Sequence, residues 1–193
     1  MKGIVNFLFE VGMLNRTPRS GFHFLGTGNQ SVAEHINRVM YIGYTLSLLE
    51  KDVDILKVLK MCLLHDLAES RVSDLNYVHQ KYVEAKHREA IDDLSKTLPF
   101  GEDIKETIKE YYERKTKESI LAKDADNIEW IISLKEQYDR GNTKAEDMIT
   151  IAVKRLKTDI AKEIVRQMLE TDSDEWFSDD DDWLVNRVKK EKR

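Results

Sequence analysis

An adjacent histidine and aspartate, His65 and Asp66, stand at the end of an apolar stretch in the first half of the chain. Burying an imidazole and a carboxylate together costs free energy unless something compensates both groups. A divalent metal ion would do so, because imidazole nitrogen and carboxylate oxygen are both metal ligands. The chain has 5 histidines and many aspartates, so chance alone also explains one adjacent histidine–aspartate pair. The flanking apolar residues recur at helical spacing, which predicts a buried helix. These residues are Val58, Leu59, Cys62, Leu63 and Leu67.

Two further acidic residues follow this pair along the chain. Glu69 lies one helical turn after His65, on the same side of the predicted helix. Asp74 comes after it, in a segment that leaves the helix. An aspartate in a turn is most often an Asx-turn residue, so its role depends on what lies beside it.

A second histidine, His35, lies on the apolar face of another predicted helix. Ser31 and Glu34 form a capping box that begins this helix, and Val32 and Val39 lie one turn to either side of His35. A histidine on an apolar face is more often a hydrogen-bonded core residue than a metal ligand. Its inward direction would let it meet the His-Asp pair from the next helix.

A further aspartate, Asp126, belongs to a helix predicted over residues 117–140. Leu121, Ala125 and Ile128 form the apolar stripe of this helix. Asp126 stands at the margin of the stripe, where its side chain is well placed to point into a cleft. Three separate helices therefore carry polar groups that are predicted to face inward.

The longest predicted loop spans residues 15–30. A long loop inside a compact helical domain is either functional or disordered, and the aromatic content of this one favours order. Its arginines, Arg16 and Arg19, would ordinarily be surface charges. Beside a metal site they become candidate phosphate ligands, because a guanidinium group matches phosphate geometry. The loop also contains Phe22, His23 and Phe24.

Composition excludes several classes of function. The length of 193 residues suits one domain with a sizeable core. The net charge of −5 argues against a general nucleic-acid coat. No segment has the roughly 18 consecutive apolar residues of a membrane span, and the N-terminus lacks the cleavage site of a signal peptide. A single cysteine, Cys62, excludes an internal disulfide and fits a reducing cytosol. We therefore expect a cytoplasmic protein without membrane or nucleic-acid partners.

The chain has only 8 glycines and 2 prolines, and it lacks the alternation of apolar and polar residues that is typical of strands. These two features predict an all-α fold. Asp52 or Asp54 is expected to cap the helix that carries the His-Asp pair. A second capping box at Thr143 is expected to begin a long helix that ends near Glu170. The remaining predicted helices cover residues 3–14, which we expect to be buried, 79–98 and 102–115.

The order His, His-Asp, Asp resembles the HD-domain superfamily of metal-dependent phosphohydrolases. Residues 14–22 (Leu-Asn-Arg-Thr-Pro-Arg-Ser-Gly-Phe) are similar to the arginine-containing N-terminal segment of its 5′-deoxynucleotidase family. Residues 31–35 resemble the first histidine motif of that family, and residues 65–69 with 73–75 resemble its His-Asp-x-x-Glu and Gly-Asp-Ile/Leu segments. Residues 123–126 resemble the final aspartate motif. These motifs together span most of the chain's first 130 residues.

The resemblance implies one divalent cation held by four residues from separate segments. The implied ligands are His35, His65, Asp66 and Asp126. Such a mixed nitrogen and oxygen set suits Mn²⁺, Co²⁺, Ni²⁺, Fe²⁺ or Mg²⁺, and leaves positions for water and a phosphate oxygen. It is not the closed tetrahedral set of a structural zinc ion.

The resemblance also implies roles for the neighbouring residues. Glu69 and Asp74 become candidates for general acid–base catalysis, and some relatives place a second cation near the positions of Glu69, Asp74 and the Leu75 carbonyl. Arg16 would neutralise the substrate phosphate, with Arg19 and Phe22 as further substrate-binding candidates. This chain has Phe22 where the family usually has tryptophan, and Ser73 where it usually has glycine; the first difference leaves substrate selectivity open.

The implied reaction is hydrolysis of a (deoxy)nucleoside 5′-monophosphate to nucleoside and phosphate. One metal ion with one or two arginines suits a single phosphate better than a triphosphate. Two alternatives remain open from the residues: another HD-type enzyme, such as a nucleotide pyrophosphohydrolase or a phosphodiesterase, and a non-catalytic helical module clamped by a metal. The second alternative would not need Glu69, Asp74 or Arg16.

We expect residues 1–193 to form a single HD domain, a helical bundle with the metal site between its helices. Residues 14–130 carry the core motifs, and residues 143–193 supply C-terminal helices that complete the bundle or contact a second subunit. The family tends to form homodimers, and Trp176, Phe177 and Trp183 offer surplus apolar surface. A homodimer is therefore expected.

Overall fold

The structure is a computed structural model that describes residues 1–178, and within this range the chain is helical with no β-strand. The predicted all-α class is therefore confirmed. None of the helices in the described range is long and apolar enough to cross a membrane. The helices are α1 (Lys2–Val11), α2 (Phe22–Leu25), α3 (Val32–Leu49), α4 (Ile55–Leu64), α5 (Glu69–Val72), α6 (His87–Ser95), α7 (Gly101–Glu113), α8 (Lys117–Asp139), α9 (Lys144–Val153), α10 (Asp159–Glu170) and α11 (Glu175–Ser178), with short 3₁₀ helices at Gly12–Asn15 and His79–Lys81.

Helix α8 is the central element of the bundle, and it packs against α3, α4, α7, α9 and α10. Its apolar residues Leu121, Ile128, Ile131 and Leu134 are buried in the larger core cluster. A second cluster lies between α6, α7 and the N-terminal part of α3. A helix that is buried around most of its circumference can present polar residues to an interior site while neighbours cover the rest of its surface.

Two of the predicted helix starts are set by side-chain caps. Ser31 and Glu34 form the predicted capping box at the start of α3. Asp54, rather than Asp52, caps α4 by accepting a hydrogen bond from the backbone N–H of Lys57. These caps fix where α3 and α4 begin.

The helix that carries the His-Asp pair is shorter than its apolar pattern predicted. Helix α4 ends at Leu64, and His65 is its C-cap. The chain then turns before the short helix α5 begins at Glu69. Leu63, which was expected to be buried, is 47% exposed. Because the helix stops here, His65 and Asp66 occupy a bend that directs both side chains toward α3 and α8.

The prediction of a helix over residues 79–98 is wrong for the first half of this segment. Residues His79–Lys81 form a 3₁₀ helix, Val83 is exposed, and α6 begins only at His87. The side chain of Asn76 accepts hydrogen bonds from the backbone N–H groups of Val78 and His79. This side-chain bonding competes with α-helix formation in the segment after the site.

The long helix predicted from Thr143 to Glu170 is also wrong, because it is two helices. Thr143 makes no side-chain cap, and a turn separates α9 from α10. The buried carboxylate of Asp124 on α8 accepts hydrogen bonds from the backbone N–H groups of Lys157 and Thr158. Those donors are available only because the helix is interrupted.

The N-terminal helix differs from its prediction in burial. The apolar segment 3–14 was expected to be buried, but α1 has no buried residue, and Phe9 is 79% exposed. Only one side of α1 packs on the second core cluster, through Ile4 and Phe7. Val5, Leu8 and Phe9 therefore form an exposed apolar face. Near the other end of the described range, Trp176 and Phe177 are exposed as well, and the prediction for residues 179–193 lies outside the described residues.

Helices α3 and α4 approach each other closely at Gly43. A Cβ atom built there would lie 2.5 Å from the Sγ atom of Cys62, a fully buried residue three positions before His65. We expect Gly43→Ala to lower the free energy of unfolding by about 1–3 kcal/mol, because overpacking a tight core forces neighbours to shift. Chemical denaturation of the variant measures this loss.

The matched variant is Cys62→Ala, which removes the sulfur that the new methyl group would meet. The double variant should be less destabilised than the sum of the two single variants, with a coupling on the order of 0.5–3 kcal/mol. Strictly additive losses would show that the close approach at Gly43 does not constrain the pair of helices.

Candidate metal centre

Three of the four predicted ligands, His35, His65 and Asp126, meet at one point in the bundle. The fourth, Asp66, lies beside the two histidines. His35 comes from α3, His65 and Asp66 from the bend after α4, and Asp126 from α8. The Nε2 atoms of the two histidines are 3.2 Å apart. Oδ2 of Asp66 lies 3.2 Å from Nε2 of His65 and 3.5 Å from Nε2 of His35. Oδ1 of Asp126 lies 3.3 Å and 3.9 Å from Nε2 of His35 and His65, respectively.

Each histidine uses its other ring nitrogen to bond away from this point. Nδ1 of His35 lies 2.5 Å from Oε2 of Glu129, and Nδ1 of His65 lies 2.9 Å from the carbonyl oxygen of Cys62. Both partners are acceptors, so each Nδ1 carries a proton and donates it. In a neutral imidazole the lone pair then resides on Nε2. Two Nε2 lone pairs and two carboxylates therefore face one another.

Such an electron-rich centre requires a positive charge. Burial and the nearby charge of Arg19 act to lower the pKa of His35, but hydrogen bonds to Asp126 and Glu129 raise it to about 9. The surrounding groups thus attract a cation to this point. His35, His65 and Asp126 offer ligand atoms that all lie within 4.8 Å of one another. The donor types and their spacing fit a bound metal ion.

Glu129 is a residue of the site that the sequence analysis missed. It is fully buried and accepts hydrogen bonds from Gln30 at 2.6 Å and from Arg38 at 2.9 Å, in addition to its contact with His35. Burial raises the pKa of Glu129, but the bonds and charges of His35 and Arg38 lower it to about 2. Its position three residues after Asp126, on the same side of α8, is the sequence feature that could have identified Glu129 as part of the site.

Asp126 is held by two donors on its outer oxygen. Its Oδ2 atom accepts hydrogen bonds from the Tyr111 hydroxyl at 2.9 Å and from Nζ of Lys123 at 2.5 Å. Burial acts to raise the pKa of Asp126, but the charge of Lys123 and the contacts with the two histidines hold it well below its usual range. Asp126 therefore remains a carboxylate with Oδ1 directed at the centre.

The loop before α3 brings Arg19 to the edge of the same centre. Its Nη1 atom lies 3.5 Å from Oδ2 of Asp66 and 3.2 Å from Oδ2 of Asp74. The backbone N–H of Ser20 donates a second hydrogen bond to Asp74. The Nε atom of Arg19 is buried and has no hydrogen-bond partner among the described residues. The site thus contains a guanidinium group with an unused donor next to the carboxylate of Asp66.

Glu69 lies on the other side of Asp74. Its Oε2 atom is buried without a hydrogen-bond partner in the described part of the chain. Burial, followed by the charges of Asp66 and Asp74, raises the pKa of Glu69 to about 10. A buried carboxyl oxygen without a partner is costly, and a ligand, water or cation at this position would satisfy it.

A cleft of about 200 Å³ opens directly onto the centre. It contains three positive side chains, from Arg19, Lys123 and Arg155, and several aromatic ones. A second cavity of about 470 Å³ adjoins it and is lined by Glu69 together with Asp74 and Leu75, which both cavities share. The lining of the cleft is completed by Ser20, Gly21, Phe24, Asp66, Asp74, Leu75, Asn76, Tyr77, Gln80, Asp126, Asn127 and Trp130.

Two of the predicted substrate-binding residues lie away from this cleft. Arg16 is exposed and is not among the described residues that line it. Phe22 is buried in the core, with its ring 5.6 Å from that of Trp130 in an edge-to-face contact. Trp130, which the sequence analysis did not single out, lines the cleft itself. Arg155 was missed as well, because it lies far along the chain from every motif.

The family model described as HD domain matches residues 11–168. The chain belongs to the HD-domain family. It is 32% identical over 189 residues to 5′-deoxynucleotidase hdd1 of Schizosaccharomyces pombe, covering 91% of this chain and 93% of that protein. It is 31% identical over 163 residues to 5′-deoxynucleotidase HDDC2 of Dictyostelium discoideum, covering 78% of this chain and 85% of that protein.

The fold has a solved counterpart. A conserved hypothetical protein from Pyrococcus furiosus matches with a TM-score of 0.70 and 31% identity, covering 86% of this chain and 96% of that chain. The predicted resemblance to the HD-domain 5′-deoxynucleotidase family is thereby confirmed, as is its helical fold.

We expect the buried hydrogen bond that Nδ1 of His35 donates to Glu129 to strengthen metal binding. Glu129→Gln keeps the size of the side chain but removes its charge, which makes His35 a weaker donor to a cation. The dissociation constant for a divalent metal should rise by about 10- to 100-fold, as is typical for the partner of a metal-binding histidine. Competition with a chromophoric chelator measures it.

Glu136→Gln is the control for this experiment. Glu136 contacts the same arginine, Arg38, at 2.6 Å but is partly exposed and does not touch His35. Its metal affinity should match that of the unaltered protein. Equal affinities for the Glu129 and Glu136 variants would contradict a role of Glu129 in the metal centre.

Proposed function

We propose that the protein is a metal-dependent 5′-deoxynucleotidase that hydrolyses (deoxy)nucleoside 5′-monophosphates to nucleoside and phosphate. The observation that carries this proposal is the convergence of two imidazole Nε2 atoms and two carboxylates beside Arg19, at the end of an open cleft. Relatives of about 30% identity named 5′-deoxynucleotidase support the same reaction.

The proposed ligands of one divalent cation are His35, His65, Asp66 and Asp126. A mixed nitrogen and oxygen set of this kind accepts Mn²⁺, Co²⁺, Ni²⁺, Fe²⁺ or Mg²⁺. When bound, such an ion lowers the pKa of a coordinated water and polarises the phosphoryl group. The ligands come from three segments, so the ion would also tie α3, α4 and α8 together and stabilise the fold.

The arginine beside the ligands is suited to the phosphate of the substrate. Arg19 has a buried Nε without a partner in the described structure, and its guanidinium group reaches the edge of Asp66. A phosphate there would gain a charge-assisted hydrogen bond in a site of low dielectric constant. The phosphate role that the motif resemblance assigned to Arg16 stays a prediction, since Arg16 is exposed and would have to reach in from outside.

Glu69 and Asp74 are the proposed acid–base pair. In the reaction, a water oxygen gives up a proton to Asp74 and forms a bond to phosphorus, the bond from phosphorus to the 5′-oxygen breaks, and that oxygen takes up a proton. Glu69, whose pKa is raised to about 10, holds a proton at neutral pH that it can donate to the leaving oxygen. Asp74, fixed by Ser20 and Arg19, is available to orient the attacking water.

A second cation at Glu69, Asp74 and the carbonyl of Leu75 is the other proposal for these residues. The partnerless Oε2 atom of Glu69 supports it, and Asp74 and Leu75 line the same cavity as Glu69. The Leu75 carbonyl oxygen already accepts a hydrogen bond from the side chain of Gln80 at 2.6 Å. Binding of a cation there would require Gln80 to move.

The experiment measures phosphate and nucleotide products from dAMP, AMP, dATP and a cyclic nucleotide, with each of the five metals. We expect phosphate release from dAMP, no release after treatment with a chelator, and recovery when metal is added. Release of tripolyphosphate from dATP as the main product, or no phosphate from any monophosphate, would contradict the proposal. The first result would indicate another branch of the family, and the second a non-catalytic module.

Substitutions separate the metal ligands from the acid–base pair. Asp66→Ala should remove metal, activity and part of the thermal stability together. Glu69→Gln and Asp74→Asn should keep the fold and most of the metal while turnover falls on the order of 10²- to 10⁴-fold. Parental turnover of both variants at native metal content would show that the roles of Glu69 and Asp74 are wrong.

We also propose that residues 1–193 form one domain that acts as a homodimer in the cytoplasm. The exposed apolar face of α1, formed by Val5, Leu8 and Phe9, supports a second subunit, and the buried free thiol of Cys62 suits a reducing compartment. Light scattering at micromolar concentration should give twice the mass of the chain. A monomer mass would contradict the dimer. Leu8→Glu, which places a charge on this apolar face, should shift the measured mass from that of a dimer toward that of a monomer.

A further inference from the structure

Three flat side chains meet in the outer part of the cleft, away from the buried ligands. They belong to Phe24, Tyr77 and Arg155, which all line the same cleft as Asp66 and Asp126. Phe24 is 40% exposed and Tyr77 is 49% exposed. We infer that these three residues form the binding site for the nucleobase of the substrate, an inference that rests on the proposed nucleotidase function.

Their geometry is that of a stacking site. The rings of Phe24 and Tyr77 are stacked, with centroids 6.1 Å apart and an angle of 23° between their planes. The guanidinium carbon of Arg155 lies 5.9 Å from the centroid of Tyr77, and its Nη2 donates a hydrogen bond of 3.1 Å to the Tyr77 hydroxyl. A planar base can stack against aromatic rings and a guanidinium plane alike.

The turn that carries Arg155 is fixed to the helix that carries the metal ligand. The buried carboxylate of Asp124 on α8 accepts hydrogen bonds from the backbone N–H groups of Lys157, at 2.9 Å, and Thr158, at 2.8 Å. Asp124 lies two residues before Asp126, so the same stretch of α8 positions both the proposed metal ligand and the turn of Arg155. The location of Arg155 therefore follows from buried contacts, although its side chain is exposed.

Tyr77 is held in a similar way from the other side of the cleft. It follows Asp74 in a segment where the side chain of Asn76 accepts hydrogen bonds from two backbone N–H groups. Asp74 is itself bonded to the backbone of Ser20 in the loop that leads to Phe24. The stacking residues are thus connected to the site through short, bonded segments.

Arg155 is assigned to the base rather than to the phosphate because other cations are closer to the ligands. Arg19 contacts Asp66, and Lys123 contacts Asp126, whereas Arg155 contacts Tyr77. A phosphate on the metal centre would meet the first two, and the nucleoside would extend toward the exposed part of the cleft. Stacking tolerates every base, so we expect the enzyme to accept purine and pyrimidine substrates.

The test compares a substrate that has a base with one that lacks it. Deoxynucleoside 5′-monophosphates and 2-deoxyribose 5-phosphate share the sugar and the phosphate, and differ only in the base. Arg155→Ala should lower kcat/KM for dAMP and dTMP by about 10-fold or more, since stacking on one base contributes about 1–3 kcal/mol. It should leave kcat/KM for 2-deoxyribose 5-phosphate unchanged.

Further variants distinguish the plane of the guanidinium group from its charge. Arg155→Lys keeps the charge and loses the planar surface, so it should resemble Arg155→Ala; Tyr77→Leu should show the same selective loss. Arg88→Ala, which removes an exposed arginine on α6 that does not line the cleft, is the control and should leave both substrates unaffected.

An equal loss for both substrates in Arg155→Ala would overturn the inference, because it would place Arg155 on the phosphate. An unchanged kcat/KM for every substrate would overturn it as well. Failure of the proposed function is recognised separately, by the absence of phosphate release from either kind of substrate with any metal. In that case calorimetric titration with deoxyadenosine still tests the site: saturable binding lost in Arg155→Ala supports it, and no binding by the unaltered protein overturns it.

Discussion

The arrangement of two histidine Nε2 atoms 3.2 Å apart is the constraint on which the rest of the site depends. Each ring donates its Nδ1 proton elsewhere, to Glu129 or to the Cys62 carbonyl oxygen, so both Nε2 atoms face the carboxylates of Asp66 and Asp126. Without a positive charge there, the two carboxylates would repel one another in a buried environment. A bound cation would supply that charge and use both Nε2 atoms as ligands.

Helix α8 links most of the groups that surround this point. Within two helical turns it supplies Asp126 to the centre, Glu129 to the outer nitrogen of His35, and Asp124 to the turn between α9 and α10. Because α8 is buried by several neighbouring helices, these three carboxylates are held in fixed directions. A rigid helix is well suited to this task, since small displacements of ligand atoms weaken both metal binding and substrate positioning.

The side chains that we propose to contact the substrate are positioned differently. Arg19, Phe24 and Tyr77 lie on loops or short helices, and Arg155 lies on a turn that is bonded to the buried Asp124 of α8. The segment of Arg19 is joined to the segment before Tyr77 by the hydrogen bond from Ser20 to Asp74. Trp130 and Tyr77, which lie outside the N-terminal loop, add aromatic surface to the cleft beside Phe24 of that loop.

The helical class, the α3 cap at Ser31 and the resemblance to the HD-domain family could be predicted from the sequence, because these depend on local periodicity and on the chemistry and order of single side chains. The tertiary structure alone decided that α4 ends before His65, that Arg19 rather than Arg16 enters the cleft, and that the segment after Thr143 is two helices. It also decided which distant residues meet. Glu129 is 94 positions from His35, and Arg155 is 78 positions from Tyr77. Periodicity reports which face of a segment is buried, but it carries no information about which face of another segment lies opposite.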